Sequence, residues 1–156
     1  MTHAENRRSA VRKIRGMAYT LTTYNESENI IPFIERARDV LSQFDWEIIF
    51  VDDNSPDGTA QTAFYCSKED HRIRSIIRLR DRGLAKASIQ GMLSARGDIL
   101  CVMDVDGQHD PAVIKEMAER LEKDELHVVS AARRLELDQE IAGLSPTRKK
   151  LSTLGN

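Results

Sequence analysis

Apolar and polar positions along this chain alternate at two different periods, and the changes of period mark out its elements. Residues 47–51, Glu-Ile-Ile-Phe-Val, form a short β-branched run that stops at Asp52-Asp53-Asn54-Ser55-Pro56-Asp57-Gly58, a string of turn formers. Residues 98–103, Asp-Ile-Leu-Cys-Val-Met, repeat that design as a buried strand and stop at Asp104. Residues 126–132 and, more weakly, 72–79 read as further strands, and 17–23 as a first, more polar one. Between these runs the period lengthens to that of a helix. Phe33, Ile34, Ala37, Leu41 and Phe44 share one face after Pro32, a residue suited to a first helical turn because its missing N–H has no partner there. Leu84, Ala87, Gly91 and Ala95 make a stripe of mostly small residues that lets a helix lie close to a sheet. Asp110 and Pro111 open a helix whose buried stripe is Ile114, Met117 and Leu121. Residues 133–147 read as a loop, and 147–156 as the start of another helix.

Strands alternating with helices, with the strands continuously apolar, predict an α/β fold with a mostly parallel sheet covered on both faces. Such sheets bind their ligands outside the carboxyl ends of the strands. Asp52-Asp53 and Asp104-Asp106 each begin as a strand ends, so they are expected to converge on one edge.

Composition narrows the options. The 156 residues suffice for one domain with its own core. A formal net charge of −2 counts against nucleic-acid binding, which needs concentrated Lys and Arg. The charge is uneven, however. Residues 1–16 carry Arg7, Arg8, Arg12, Lys13 and Arg15 against Glu5, and read as a flexible basic arm, with contact to an anionic membrane surface as the other reading. No apolar run approaches the ~18–20 residues of a membrane span. Cys66 and Cys101 fall in separate elements without paired spacing, and no Cys/His zinc pattern is present, which suits reduced residues in a cytoplasmic protein.

The chemistry gathers at the strand ends. In extended backbone, side chains at i, i+2 and i+4 point the same way, so Asp104, Asp106 and Gln108 can face one point. Two carboxylates and an amide suit Mg²⁺ or Mn²⁺, with open positions kept for phosphate oxygens. Asp52 and Asp53 are open to two readings: ligands for a base or ribose, or parts of a tight turn.

Thr23-Tyr24-Asn25-Glu26, Val51-Asp52-Asp53-Asn54-Ser55-Pro56-Asp57-Gly58-Thr59, Gly83-Leu84-Ala85, Gly91, Ala95-Arg96-Gly97-Asp98 and Met103-Asp104-Val105-Asp106-Gly107-Gln108-His109 occur in an order that resembles family 2 glycosyltransferases. The likeness is greatest to the dolichol-phosphate mannosyltransferase and polyprenyl-phosphate glycosyltransferase branch. It implies a three-layer GT-A fold over residues 17–156, incomplete at the C-terminus and amounting to the N-terminal two-thirds or so of a catalytic domain. It implies an inverting transfer of a mannose-like or glucose-like sugar from GDP-mannose or a UDP-sugar to a polyprenyl phosphate, at the cytoplasmic face of a membrane. In that scheme Thr23, Tyr24 and Glu26 line the base and ribose, and Asp53 contacts the nucleotide with Asp52 beside it. Asp104, Asp106 and Gln108 hold the metal. Arg133 lies near the phosphates, and Arg148 and Ser152 meet the acceptor phosphate. Thr22 stands where that branch has proline, which implies a looser loop over the base. Two other readings remain at this point: a remnant that binds nucleotide sugars without turnover, and a receiver-like phospho-acceptor domain suggested by acids ending two strands.

Overall fold

The computed structural model describes residues 16–106 and 111–131. Its elements run β1 (Met17–Thr23), α1 (Ser27–Val40), β2 (Trp46–Asp52), α2 (Thr59–Glu69), β3 (Ile73–Ile77), α3 (Leu84–Ser94), β4 (Ile99–Asp104) and α4 (Pro111–Lys123). The four strands form one parallel sheet in the order β3-β2-β1-β4. The chain therefore winds outward from β1 through β2 to β3, then returns past both to place β4 on the other side of β1. The winding reverses between β1 and β4, and in open α/β sheets that reversal opens a crevice at the carboxyl ends of the strands.

Side-chain alternation sorts the two faces. Met17, Tyr19 and Leu21 of β1 and Trp46, Ile48 and Phe50 of β2 enter one core with Ile30, Phe33, Ile34, Ala37 and Leu41 of the first helical segment, Ala63 of α2, and Ile114 and Ala118 of α4. The opposite face is thinner: Ile49 and Val51 pack on Ala87, with Ile76 and Ala95 alongside. There α3 lies so close to the sheet that a Cβ on Gly91 would stand 2.0 Å from Thr20 Cγ2. The small-residue stripe is thus a fit to β1. Burial raises the phenol of Tyr19, and lifts the Cys101 thiol to about 11. Cys66 and Cys101 are both free.

Four expectations are corrected. Residues 126–131 are not a strand: a strand exists through its ladder, none of the described strands pairs with them, and Val128 is 80% exposed. β4 is buried on one face only, with Leu100 and Val102 exposed, because α3 covers β1 and β2 rather than the sheet's edge. α1 begins at Ser27, so Pro32 lies in its second turn and removes a bond to the Glu28 carbonyl; it does so on the exposed face. Leu84 is exposed at the first position of α3, whose buried residues are Ala87 and Gly91. Residues 1–15 and 132–156 lie outside the described residues, and with them the basic arm, the loop expected over 133–147 and the helix expected at 147. Gly16 already belongs to the fold, its carbonyl accepting from the Ile99 N–H at 3.2 Å. Among the described residues no helix is long and apolar enough to cross a membrane.

Candidate functional site

Two loops at the carboxyl edge are locked together. The β1–α1 loop, Tyr24-Asn25-Glu26, turns through Asn25 at a φ of 60°, a conformation asparagine tolerates. Its backbone N–H groups are received by the β2–α2 loop: Asn25 donates to Ser55 Oγ (3.0 Å), Glu26 to Thr59 Oγ1 (2.9 Å) and Ser27 to Asp57 Oδ2 (3.1 Å). Asp57 also accepts from the Thr59 amide and hydroxyl through Oδ1 (3.0 and 2.6 Å). One carboxylate thereby caps the N-termini of α1 and α2, where orphan N–H groups and the helix dipoles favour negative charge. Slight desolvation works upward on its carboxyl, but the bonds from Thr59 and Ser27 outweigh it and bring it down to about 2.

Asp52 supports this assembly from beneath. It is fully buried, and it accepts from Thr23 Oγ1 (3.0 Å), the Ser55 N–H (2.7 Å) and Ser55 Oγ (2.6 Å). Asp53 points the other way, into the cleft. Its Oδ1 accepts from Arg78 Nη1 at 2.6 Å and its Oδ2 from the Gly83 N–H at 2.6 Å.

At the seam between β1 and β4, Thr22 Oγ1 donates to Asp104 Oδ1 at 3.0 Å, joining the two strand ends. A cleft of about 250 Å³ opens beside this bond, lined by Thr22, Thr23, Tyr24, Glu26, Asp53, Leu84, Ala87, Asp104 and Asp106. Tyr24 is half exposed there, and Glu26 holds the Asn29 side-chain amide at 2.6 Å. Asp104 and Asp106 offer two hard oxygen donors at the mouth, a chemistry that fits Mg²⁺ or Mn²⁺. Among the described residues no group of three His, Cys, Asp or Glu side chains is gathered as a metal site.

Of the residues singled out from the sequence, Thr23, Tyr24, Glu26, Asp53, Asp104 and Asp106 meet in this one cleft. Asp52 does not line it: it is buried beneath, and its oxygens are occupied by the loop it builds. Gln108, Arg133, Arg148 and Ser152 lie outside the described residues. Sequence reasoning missed Leu84 as a cleft residue and missed Arg78 altogether, because Arg78, Arg80 and Arg82 look alike in a charged loop.

A parallel sheet with helices on both faces and an acidic cleft at its switch point is the arrangement found in the GT-A fold of glycosyltransferases, and solved structures of that fold match this chain. Solved structures of that fold include glucosyl-3-phosphoglycerate synthase from Mycobacterium tuberculosis in complex with Mn²⁺, uridine-diphosphate-glucose and phosphoglyceric acid. It is 20% identical with a TM-score of 0.60, over 74% of this chain and 42% of that one. Another is mannosyl-3-phosphoglycerate synthase from Rubrobacter xylanophilus, 19% identical with a TM-score of 0.58, over 69% and 36%.

The chain belongs to glycosyl transferase family 2, whose pattern it matches over residues 20–145. That membership sets the receiver-like reading aside. Its relatives include the dolichol-phosphate mannosyltransferases of Pyrococcus furiosus, 39% identical over 65% of this chain, and of Saccharomyces cerevisiae, 36% identical over 63%. A dodecaprenyl-phosphate galacturonate synthase of Rhizobium johnstonii is 32% identical over 72%. The matches cover 28%, 38% and 34% of those proteins, so the chain spans well under half of the length of each.

Proposed function

We propose that this chain forms the nucleotide-sugar side of a glycosyltransferase that moves a mannose-like or glucose-like sugar, with inversion, from GDP-mannose or a UDP-sugar to a polyprenyl phosphate. The carrying observation is the single cleft that gathers Tyr24, Glu26 and Asp53 on one side and Asp104 and Asp106 on the other. One wall suits a nucleoside, the other a diphosphate with its cation. The relatives, named as dolichol-phosphate and dodecaprenyl-phosphate enzymes, support the acceptor class.

The roles proposed for Tyr24, Asp53, Asp104 and Asp106 are supported by where they lie in the cleft. That of Gln108 is supported by its spacing and the family resemblance, and those of Arg133, Arg148 and Ser152 by the resemblance alone. Tyr24 presents an exposed ring on which a base can stack, a contact worth roughly 1–3 kcal/mol. Asp53 accepts hydrogen bonds from the base or ribose. Asp104 and Asp106, with Gln108 as the third expected ligand, would hold Mg²⁺ or Mn²⁺. Such an ion, when bound, neutralises the diphosphate in the ground state and as it departs. Arg133 is assigned to the phosphate groups, and Arg148 and Ser152 to the acceptor phosphate. An acceptor that is already anionic needs no strong base to attack the anomeric carbon, so positioning and charge control remain the protein's share. We place this work at the cytoplasmic face of a membrane, where a polyprenyl phosphate presents its head group.

Calorimetric titration with GDP-mannose, UDP-glucose and UDP-N-acetylglucosamine, with and without Mn²⁺, tests the reading. Binding of at least one donor, tighter by about tenfold or more with Mn²⁺, is expected. Asp106→Ala should remove that dependence. If a folded protein binds none of the three with Mn²⁺, the proposal fails.

A further inference from the structure

Arg78 is the most heavily engaged side chain at the edge of the cleft, yet it does not line it. It follows β3, is 6% exposed, and its backbone N–H donates to the Asp52 carbonyl at 2.8 Å, continuing the ladder by one bond. Its guanidinium then donates in four directions. Nη1 reaches Asp53 Oδ1 (2.6 Å) and the Gly83 carbonyl (3.2 Å), Nη2 reaches the Asp81 carbonyl, and Nε reaches the Gln90 amide oxygen (3.0 Å). These partners come from the end of β2, the β3–α3 loop and the body of α3. The same loop returns to Asp53 through the Gly83 N–H, at a φ of 130° that favours glycine. Asp53 is thus held at both oxygens by one closed circuit. The circuit contains a part-buried ion pair, Arg78 Nη1 to Asp53 Oδ1.

We infer that Arg78 is the positioning residue for nucleoside recognition: it fixes the direction in which Asp53 faces the cleft and fixes the β3–α3 loop as the wall beside it. This rests on the nucleotide-binding reading of the cleft. A planar fork with five donors can satisfy all four acceptors at once, whereas a lysine in its place can keep the charge but not the set. With both oxygens held, Asp53 keeps its remaining lone pairs aimed at one place. Without Arg78 the carboxylate can rotate away from the nucleoside it is meant to meet. The effect falls on the nucleoside, which meets Asp53, and spares the diphosphate and cation, which meet Asp104 and Asp106.

The test measures dissociation constants of the purified chain for UDP and GDP with Mn²⁺, and for Mn²⁺ with inorganic pyrophosphate, which lacks a nucleoside. Arg78→Lys should weaken the better nucleotide by about tenfold and leave pyrophosphate within about twofold. In an Asp53→Asn background, Arg78→Lys should add less than about twofold, since its action passes through Asp53. Gln90→Leu removes one acceptor on the outer side of α3 and should weaken the nucleotide by about threefold. It serves if Arg78→Lys fails to fold. Unchanged nucleotide affinity in the folded variants overturns the inference. Equal losses for nucleotide and pyrophosphate, or losses that multiply with Asp53→Asn, do the same. If the wild-type chain binds pyrophosphate with Mn²⁺ but neither nucleotide, the nucleoside reading itself has failed, and that outcome is distinct from a failure of Arg78.

Discussion

At the scale of single residues, two adjacent acids with the same sequence neighbourhood have opposite fates. Asp52 is the last residue of β2 and turns inward to the loop; Asp53 is the next and turns outward. The period-2 alternation of extended backbone separates them, and it operates on a strand end located in the sequence to within one residue. The pair divides between the two readings only in direction: Asp52 builds the turn, and Asp53 faces the cleft. Arg78 was illegible because its burial depends on partners at 53, 81, 83 and 90, which no local pattern connects. Thr22 gives the sharpest residue-level prediction. Its hydroxyl orients Asp104, so Thr22→Val, which keeps the shape, should weaken Mn²⁺ binding measured with UDP present by about three- to tenfold while UDP alone binds as before. Asp52→Ala strips the partner from two hydroxyls and an amide, and should destabilise the fold by about 2–4 kcal/mol in urea unfolding.

At the scale of elements, the strands adjoining the site were legible because each is a β-branched or apolar run closed by turn formers. The failures were matters of neighbours. Residues 126–131 have a strand's composition, Leu-His-Val-Val-Ser-Ala, but no described strand beside them. Pro32 invited a helix start that Asp57, reaching in from another loop, moves five residues earlier by receiving the Ser27 N–H. Of the α3 stripe, Ala87 and Gly91 do lie buried against the sheet, and Gly91 carries a quantitative test. Gly91→Ala gains about 1 kcal/mol of helix propensity. Against this, the new methyl overlaps Thr20, a stiff β-branched side chain buried in the central strand, and such overpacking costs about 1–3 kcal/mol. With the contact at 2.0 Å the overlap wins, and a loss of about 1–2 kcal/mol is expected in urea denaturation. Thr20→Ala should itself cost under about 1 kcal/mol, because the Thr20 hydroxyl is buried with no partner among the described residues. It should also restore most of the Gly91→Ala loss in the double variant, and additive losses would refute the close-packing account.

At the scale of the whole molecule, acid stability is tied to a carboxylate that joins two helices. The Asp57 carboxyl is lowered from 3.8 to about 2 in the folded chain. A depressed carboxyl stabilises the fold above its unfolded value and loses that contribution as pH falls toward its folded one, so the window is about pH 4 down to pH 2. Asp70 acts in the same direction, its hydrogen bonds from Arg72 leading over the contribution of Arg38. Melting temperatures followed from pH 6 to pH 2 should fall below about pH 4, and those of Asp57→Asn should fall less steeply across that window. Because Asp57 is exposed, the difference should be small. The sheet order has a temporal consequence as well. A ribosome releases β1, β2 and β3 with their two crossover helices before β4 exists, and each of those pairings closes a short chain segment. The interlocked loops and Asp53 can therefore settle while the protein is still being made. The bond from Thr22 to Asp104 spans 82 positions, and must wait for a strand that inserts beside an already folded neighbour. The acidic wall is the last part of the described cleft to be built, so a nascent chain sets Tyr24, Glu26 and Asp53 in place before Asp104 and Asp106.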